Sequence, residues 1–172
     1  MAKTKRFPFT YITGKIVPSD KATVPIGSKA VQYGLGCFSG IRGNWNGKEL
    51  LLFRDEDHFK RLKESAKILG MTLKMTYPQF QKVLKDLIKK NKVKGDIYIR
   101  PTLYARSELL SPRFDNPGDD LAIYMISLKD YFDTNKALNC CISSWRRFDD
   151  DSMSTKAKIT GAYCNSALAK TE

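Results

Sequence analysis

The stretch "STKAKITGAYCNS", residues 154–166, contains the residue types that most readily suggest chemistry. Lys156 and Lys158 stand among small side chains, and Tyr163 follows the second lysine by five residues. A lysine amine can form an imine with a carbonyl group, and small neighbours leave room for a ligand beside it. Taken alone, the motif favours a simpler interpretation, in which both are surface lysines that precede a helix.

The cysteines and the single histidine argue against a metal site and against histidine-dependent hydrolases. Cys37, Cys140, Cys141 and Cys164 form no C-x-x-C pair, so we expect no metal site and interpret all four as buried thiols. His58 is the only histidine and lies in a segment with helical periodicity. No G-x-S-x-G motif accompanies it, which argues against Ser-His and Cys-His hydrolases.

The chain is strongly basic, with thirty Lys and Arg against eighteen Asp and Glu and a formal charge of +12. Such a charge suggests a polyanionic partner, but the lysines are spread along the chain and no nucleic-acid-binding motif accompanies them. We therefore expect no nucleic-acid partner, and a catalytically silent basic binding domain stays open as an alternative. Since we find neither a membrane-length apolar run nor a signal peptide, we expect a cytoplasmic protein without a membrane partner.

Two β-hairpins are predicted in the first third of the chain. In "FTYITGKIVP", short strands flank Thr13 and Gly14. In "CFSGIRGNWNGKELLLF", the turn is at Asn46 and Gly47, and the second strand begins at Leu50. Glycine suits such turns because it adopts positive φ without steric cost.

Two amphipathic helices are predicted after the hairpins. Acidic residues at positions 55–57 begin the first helix, apolar residues recur at helical spacing, and Gly70 offers its end. The second helix runs from about Thr76 or Tyr77 to Lys90, with Pro78 tolerated in its first turn.

Three more strands complete the predicted fold. "DIYIRPTLYA" alternates as a strand in which Pro101 requires an edge or a bulge, "LAIYMISL" is apolar on both faces, and "LNCCISSW" begins a new strand. We predict an α+β class: residues 1–130 form a small domain of antiparallel-type sheet packed with two main helices. Residues 131–136 form a linker, and residues 137–172 begin a second, incomplete domain.

Five segments of the chain resemble, in the same order, the branched-chain amino acid aminotransferases, which belong to the fold-type IV pyridoxal-phosphate enzymes. They are "YGLGCFSGIRG" from Tyr33, "FRDEDHFKRLKESAKILGM" from Phe53, "YIRP" from Tyr98, "SSWRR" from Ser143 and "KITGAYCNSALAKTE" from Lys158. The resemblance spans nearly the whole chain. It implies a D-amino acid aminotransferase-like fold whose second domain, truncated here, binds the cofactor.

The resemblance implies pyridoxal 5′-phosphate as cofactor and three residues that bind it. Lys158 matches the catalytic lysine, which forms an imine with the cofactor aldehyde (the internal aldimine) and later moves the substrate's Cα proton. Arg61 matches the arginine that binds the phosphate; without the resemblance, Arg61 is a polar-face residue that pairs with Asp57. Tyr163 resembles the tyrosine that hydrogen-bonds the cofactor's phenolic oxygen.

The resemblance also implies a substrate pocket for an aliphatic side chain and for glutamate. Arg100 suits the distal carboxylate of glutamate, and Tyr98 lies on the same face of its strand by the period of two. For each aromatic residue, simple core packing is the alternative. The substrate-binding residues implied are Tyr33, Phe38, Gly40, Arg42, Tyr98, Arg100 and Tyr131.

The implied reaction interconverts leucine, isoleucine or valine with the 2-oxo acids, with glutamate and 2-oxoglutarate as the partner pair, in a homodimer. Ser39 stands where many family members carry glutamate. The family continues beyond the position of Glu172 and there supplies the acid that protonates the pyridine nitrogen, so we expect the 172-residue chain alone to be inactive. A D-amino acid aminotransferase or an aminodeoxychorismate lyase of the same fold remains an alternative.

Overall fold

The computed structural model describes residues 6–114, 118–128, 137 and 139–172, in which short strands come first and the two long helices follow. The elements are, in chain order, β1 (Phe9–Ile12), β2 (Lys15–Pro18), α1 (Lys29–Tyr33), β3 (Gly36–Phe38), β4 (Ile41–Trp45), β5 (Leu50–Leu52), α2 (Asp55–Ile68), α3 (Tyr77–Lys90), β6 (Ile97–Ala105), β7 (Asp119–Ser127) and α4 (Tyr163–Thr171). The predicted linker, residues 131–136, lies outside the described residues.

The strands form one antiparallel sheet in the order β2-β1-β7-β6-β4-β5, with β3 beside β6 in line with β4. Phe38 pairs with Thr102 and Ile41 with Ile99, so the register of β3 and β4 against β6 is continuous. β6 is therefore an interior strand without a bulge, and the prediction that Pro101 requires an edge strand or a bulge is wrong. Because the proline has no N–H, the ladder is interrupted opposite it, where Ser39 N donates to Pro101 O at 2.9 Å.

Both predicted hairpins are confirmed. Thr13 and Gly14 have φ values of 50° and 77°, which is the pattern of a two-residue turn that matches the twist of the strands. In the second hairpin Asn46 N donates to Glu49 O at 3.1 Å, and Gly47 has φ 94°. The residues between β4 and β5 thus form a tight four-residue connection.

The two predicted long helices, α2 and α3, are confirmed and pack their apolar stripes into the core with the sheet. Thr76 caps α3 in a capping box with Gln79, and Tyr77 Oη donates to Asp55 Oδ2 at 2.9 Å, which joins the two helices. At the other end of α3, the buried Asn91 bonds the backbone of β1. The core residues with the least exposure include Leu62, Phe80, Leu84, Leu87, Ile41, Ile97, Ile99, Ile123 and Met125.

Two expectations for the cysteine-containing segments are wrong. Residues 139–145 contain no strand, because none of the described strands lies beside them and Ile142 is fully exposed. Cys37 is buried, and burial followed by the charge of Asp119 raises its pKa to about 12. The other three cysteines are exposed since they lie outside the packed core.

No helix in the part of the chain that the structure describes is both long and apolar enough to cross a membrane.

Candidate active site

The backbone around Lys158 is attached to β3 as a further extended segment. Phe38 N donates to Lys158 O at 3.1 Å and Thr160 N donates to Gly36 O at 2.8 Å. From the other side, Lys158 N donates to Ser65 Oγ of α2 at 3.1 Å. Hydrogen bonds from β3 and α2 to the backbone of Lys158 therefore fix its Cα, independently of the contacts of its side chain.

Glycines allow this close attachment. A Cβ at Gly36 would lie 3.2 Å from Thr160 Oγ1, and one at Gly34 would lie 3.0 Å from Gly161 Cα. Gly34 also has φ +67°, a conformation that favours glycine. The small residues near Lys158 thus serve the approach of two backbones, in addition to any room they leave for a ligand.

The amine of Lys158 lies against two aromatic rings. Its Nζ donates a hydrogen bond to Tyr163 Oη and lies 4.9 Å from the centroid of the Phe38 ring. The rings of Phe38 and Tyr163 are 5.0 Å apart between centroids and tilted by 53°. Because Tyr163 is the first residue of α4, the helix start determines where this hydroxyl is held.

A cleft of about 240 Å³ opens beside this amine, and four cationic side chains line it. Such a concentration of positive charge favours an anionic ligand. Lys156 is exposed whereas Lys158 is half-buried, so the structure distinguishes the two lysines of the motif. The lining residues that carry charge or donor groups are Arg61, Arg147, Thr155, Lys156, Lys158, Tyr163, Asn165 and Ser166.

Arg61 enters the cleft from α2 and is held by two neutral acceptors. Its Nη2 donates to Ser39 Oγ at 3.2 Å and contacts His58 Nδ1 at 3.3 Å. Asp57, the partner that the sequence alone suggests, bonds Arg54 Nε at 2.7 Å instead. Arg61 is exposed, as expected for a polar-face residue, but its pairing with Asp57 that the sequence alone suggests is wrong.

Four of the residues assigned to the substrate pocket are adjacent to one another, and one of them, Phe38, also contacts Lys158. Arg100 Nε donates to Tyr98 Oη at 3.1 Å, so both side chains lie on one face of β6 as predicted. The Arg100 guanidinium carbon is 4.2 Å from the centroid of the Phe38 ring. A Cβ at Gly40 would lie only 2.0 Å from Tyr98 Oη. The Phe38 ring thus contacts both the amine of Lys158 and the guanidinium of Arg100.

The other assigned pocket residues are placed differently. Arg42 is exposed on β4, where it pairs with Tyr98 in the ladder. Tyr33 ends α1 with 39% of its surface exposed. None of the assigned substrate-pocket residues that the structure describes lines the cleft. Tyr131 lies outside the described residues.

Three polar residues that hold the site together, Ser39, His58 and Ser65, received no site role from the sequence, although Ser39 was noted as a departure from the family. His58, Arg61 and Ser65 are three and four residues apart, which places them on one face of a helix, so the spacing could have revealed them. Ser39 carried no such signal, because only the strand register brings it to α2. Burial first, and then the charge of Arg61, lower the pKa of His58. Within the described residues, no cluster of His, Cys, Asp and Glu could hold a metal ion.

Comparison with known proteins agrees with the resemblance found in the sequence. The family described as "Amino-transferase class IV" matches residues 36–172. A "Probable branched-chain-amino-acid aminotransferase" of Aquifex aeolicus is 37% identical over 174 residues, covering 100% of this chain and 56% of that protein. The chain spans about half the length of the curated relatives it matches.

Solved structures agree with the predicted fold class. The branched-chain aminotransferase of Thermoproteus uzoniensis with norvaline matches with a TM-score of 0.88 at 34% identity, over 97% of this chain and 56% of that one. The branched-chain amino acid aminotransferase of Thermobaculum terrenum in its PLP-form matches with a TM-score of 0.85 at 28% identity, over 96% and 55%. The α+β fold and the resemblance are both confirmed.

Proposed function

The chain belongs to the class IV aminotransferases, and on this basis we propose that it serves pyridoxal-phosphate-dependent transamination of branched-chain L-amino acids. Leucine, isoleucine and valine are the proposed donors, and glutamate and 2-oxoglutarate are the partner pair. The names of the similar proteins support this substrate class. The observation that carries the proposal is the contact of Lys158 Nζ with Tyr163 Oη at a cleft that Arg61 also lines.

The donor set at the cleft fits pyridoxal phosphate. Lys158 offers a primary amine for the aldehyde, and Tyr163 offers a hydroxyl for the ring oxygen. Arg61 offers a guanidinium for the phosphate, with the charges of Arg147 and Lys156 nearby. Pyridoxal phosphate, when bound, supplies a sink for the electrons that remain when the substrate loses its Cα proton.

Lys158 is the group that moves this proton. Its amine must reach the substrate Cα from a fixed direction, and the backbone bonds to Phe38 and Ser65 provide that direction. The hydroxyl of Tyr163 and the Phe38 ring limit the rotation of the amine. Lys156, exposed and two residues away, has no comparable positioning.

The substrate side chain is proposed to lie near Phe38, Gly40 and Tyr98. Aromatic walls suit aliphatic side chains, and Arg100 offers a cation for the second carboxylate of glutamate. Arg100 lies against the Phe38 ring and bonds Tyr98, so its charge stays close to the pocket. Tyr33, Arg42 and Tyr131 are proposed to complete the pocket.

We extend the proposal to the organisation of the protein. Residues 1–130 form the small domain, 131–136 the linker and 137–172 the beginning of the cofactor-binding domain. The working enzyme is a homodimer in the cytoplasm.

Reductive trapping tests the assignment of Lys158. The protein is taken as its source cell makes it, its intact mass is measured, and it is incubated with pyridoxal phosphate and treated with borohydride. Peptide mapping should place the label on Lys158 and not on Lys156. Lys158→Arg should abolish specific labelling and Lys156→Arg should leave it unchanged; labelling shared equally by both lysines would refute the assignment.

A substrate panel on the same protein tests the reaction. Turnover of leucine, isoleucine or valine with 2-oxoglutarate is expected to exceed turnover of D-alanine. Preferred use of the D-amino acid would reject the branched-chain proposal while leaving the family unchanged.

A further inference from the structure

Three polar side chains from two elements meet behind the cleft: Ser39 from the junction of β3 and β4, and His58 and Arg61 from α2. Ser39 is fully buried, and Arg61 is exposed toward the cleft. The distances are 3.2 Å from Arg61 Nη2 to Ser39 Oγ, 3.3 Å from Nη2 to His58 Nδ1 and 3.4 Å from Ser39 Oγ to Nδ1. The proposed transamination assigns no task to Ser39 or His58.

The hydrogen-bond donors around His58 determine which of its ring nitrogens carries the proton. A guanidinium can only donate hydrogen bonds, so Nδ1 must accept and the ring proton must reside on Nε2. The lowered pKa of His58, caused by burial and by the charge of Arg61, agrees with a neutral ring. The charges of Asp57 and Asp55 raise the pKa of His58, and the charge of Arg54 adds to the lowering.

The hydrogen bonds of Arg61 also determine which of its N–H groups can bind a ligand. Both hydrogens of Nη2 are directed to Ser39 and His58, whereas the hydrogens on Nε and Nη1 bond none of the described residues and can serve a ligand in the cleft. Neither acceptor is charged, so the positive charge of Arg61 is not neutralised by the groups that hold it. An arginine fixed in this way is preorganised for phosphate, because less side-chain freedom is lost on binding.

We propose that His58, together with Ser39, is a positioning residue that orients the Arg61 guanidinium for the phosphate group of the cofactor. The inference rests on the proposed function, since it needs Arg61 to bind that phosphate. The proposal also gives a role to Ser39, which stands where many family members carry glutamate. Its side chain is short enough to fit between β6 and α2, and its hydroxyl oxygen accepts a hydrogen bond from Arg61.

The test compares the affinity of the protein for pyridoxal phosphate and for pyridoxal, which has no phosphate. His58→Asn retains an acceptor oxygen near the position of Nδ1, whereas His58→Leu removes it. Leucine is the better helix former, so a purely structural role would make His58→Leu the less damaging of the two substitutions. The positioning role predicts the reverse order for phosphate-dependent affinity.

His58→Leu should weaken pyridoxal phosphate binding by about 3- to 10-fold, the equivalent of one hydrogen bond, and leave pyridoxal binding unchanged. His58→Asn should restore most of the loss, and Ser39→Ala should cause a loss similar to that of His58→Leu. In an Arg61→Ala background, His58→Leu should have no further effect, because the group that it orients is absent.

The outcomes separate the inference from the proposed function. If Arg61→Ala binds both compounds as the unchanged protein does, the phosphate role of Arg61 fails and the positioning role is overturned with it. If Arg61→Ala loses phosphate-dependent affinity but His58→Leu and Ser39→Ala do not, the positioning role alone is overturned. Equal loss of pyridoxal and pyridoxal phosphate in His58→Leu, without rescue by His58→Asn, would likewise overturn it.

Discussion

The contact between Gly40 and Tyr98 gives a prediction whose magnitude can be worked from distances. A Cβ at Gly40 would lie 2.0 Å from Tyr98 Oη, 2.6 Å from Cζ and 2.7 Å from Cε2. The hydroxyl must move by about 1.4 Å to reach the 3.4 Å of ordinary contact. Gly40→Ala therefore forces the ring away from its position beside Arg100.

The cost has two parts. Loss of the bond from Arg100 Nε to Tyr98 Oη costs about 1 kcal/mol, and an off-rotamer ring costs about 1 kcal/mol. Alanine restricts the unfolded chain and returns roughly 0.5 kcal/mol. The free energy of unfolding should thus fall by about 1.5 kcal/mol, within the usual range for overpacking.

A double-mutant cycle isolates the clash. In a Tyr98→Ala background the obstructing ring is absent, so Gly40→Ala should change the free energy of unfolding by about 0.5 kcal/mol in the stabilising direction. Urea unfolding of the four proteins, followed by tryptophan fluorescence, measures the cycle. A similar loss of stability in both backgrounds would refute the assigned position of the Tyr98 ring.

Three further predictions follow from other contacts. Native protein should react with a thiol reagent at Cys140, Cys141 and Cys164 and spare Cys37, whose burial raises its pKa to about 12, until denaturant exposes it; rapid native labelling of Cys37 would contradict its placement. Asn91→Ala removes the buried bonds to the Phe9 backbone at 2.9 and 3.1 Å and one to Leu87 O at 3.0 Å. It should lower the free energy of unfolding by about 3 kcal/mol, and a loss below about 1 kcal/mol would contradict the contact. The pKa of His58 is lowered from 6.5 in the folded protein, so as the pH falls the His58 ring of the unfolded chain binds a proton first. The contribution of His58 to stability is therefore present above pH 6.5 and declines below it. Unfolding at a series of pH values should show this decline in the unchanged protein and a smaller one in His58→Asn; parallel profiles would exclude His58 as the cause.

Local signals in the sequence were sufficient for most elements. Both hairpins, the helices α2 and α3 and the strands β6 and β7 follow from turn glycines, capping residues and apolar periodicity, which act over a few neighbouring residues. The segment 139–145 shows where such signals fail: its composition favours a strand, but a strand forms only beside another strand, and no described strand lies there. The expectation for Pro101 was wrong for the same reason, since the position of its missing donor depended on Ser39, a residue distant in sequence.

The sequence by itself determined the family, the identity of Lys158, Arg61 and Tyr163 as candidate site residues, and the common face of Tyr98 and Arg100, because these depend on order and spacing along the chain. Only the tertiary structure determined which side chains contact one another when they are distant in the sequence. It placed the Phe38 ring against the cations of Lys158 and Arg100, paired Asp57 with Arg54, and brought Ser39 and His58 to Arg61. Hydrogen bonds and ring contacts act over a few ångströms, and only the pairing of β3 with β6 and the packing of α2 against β3 bring such distant residues that close.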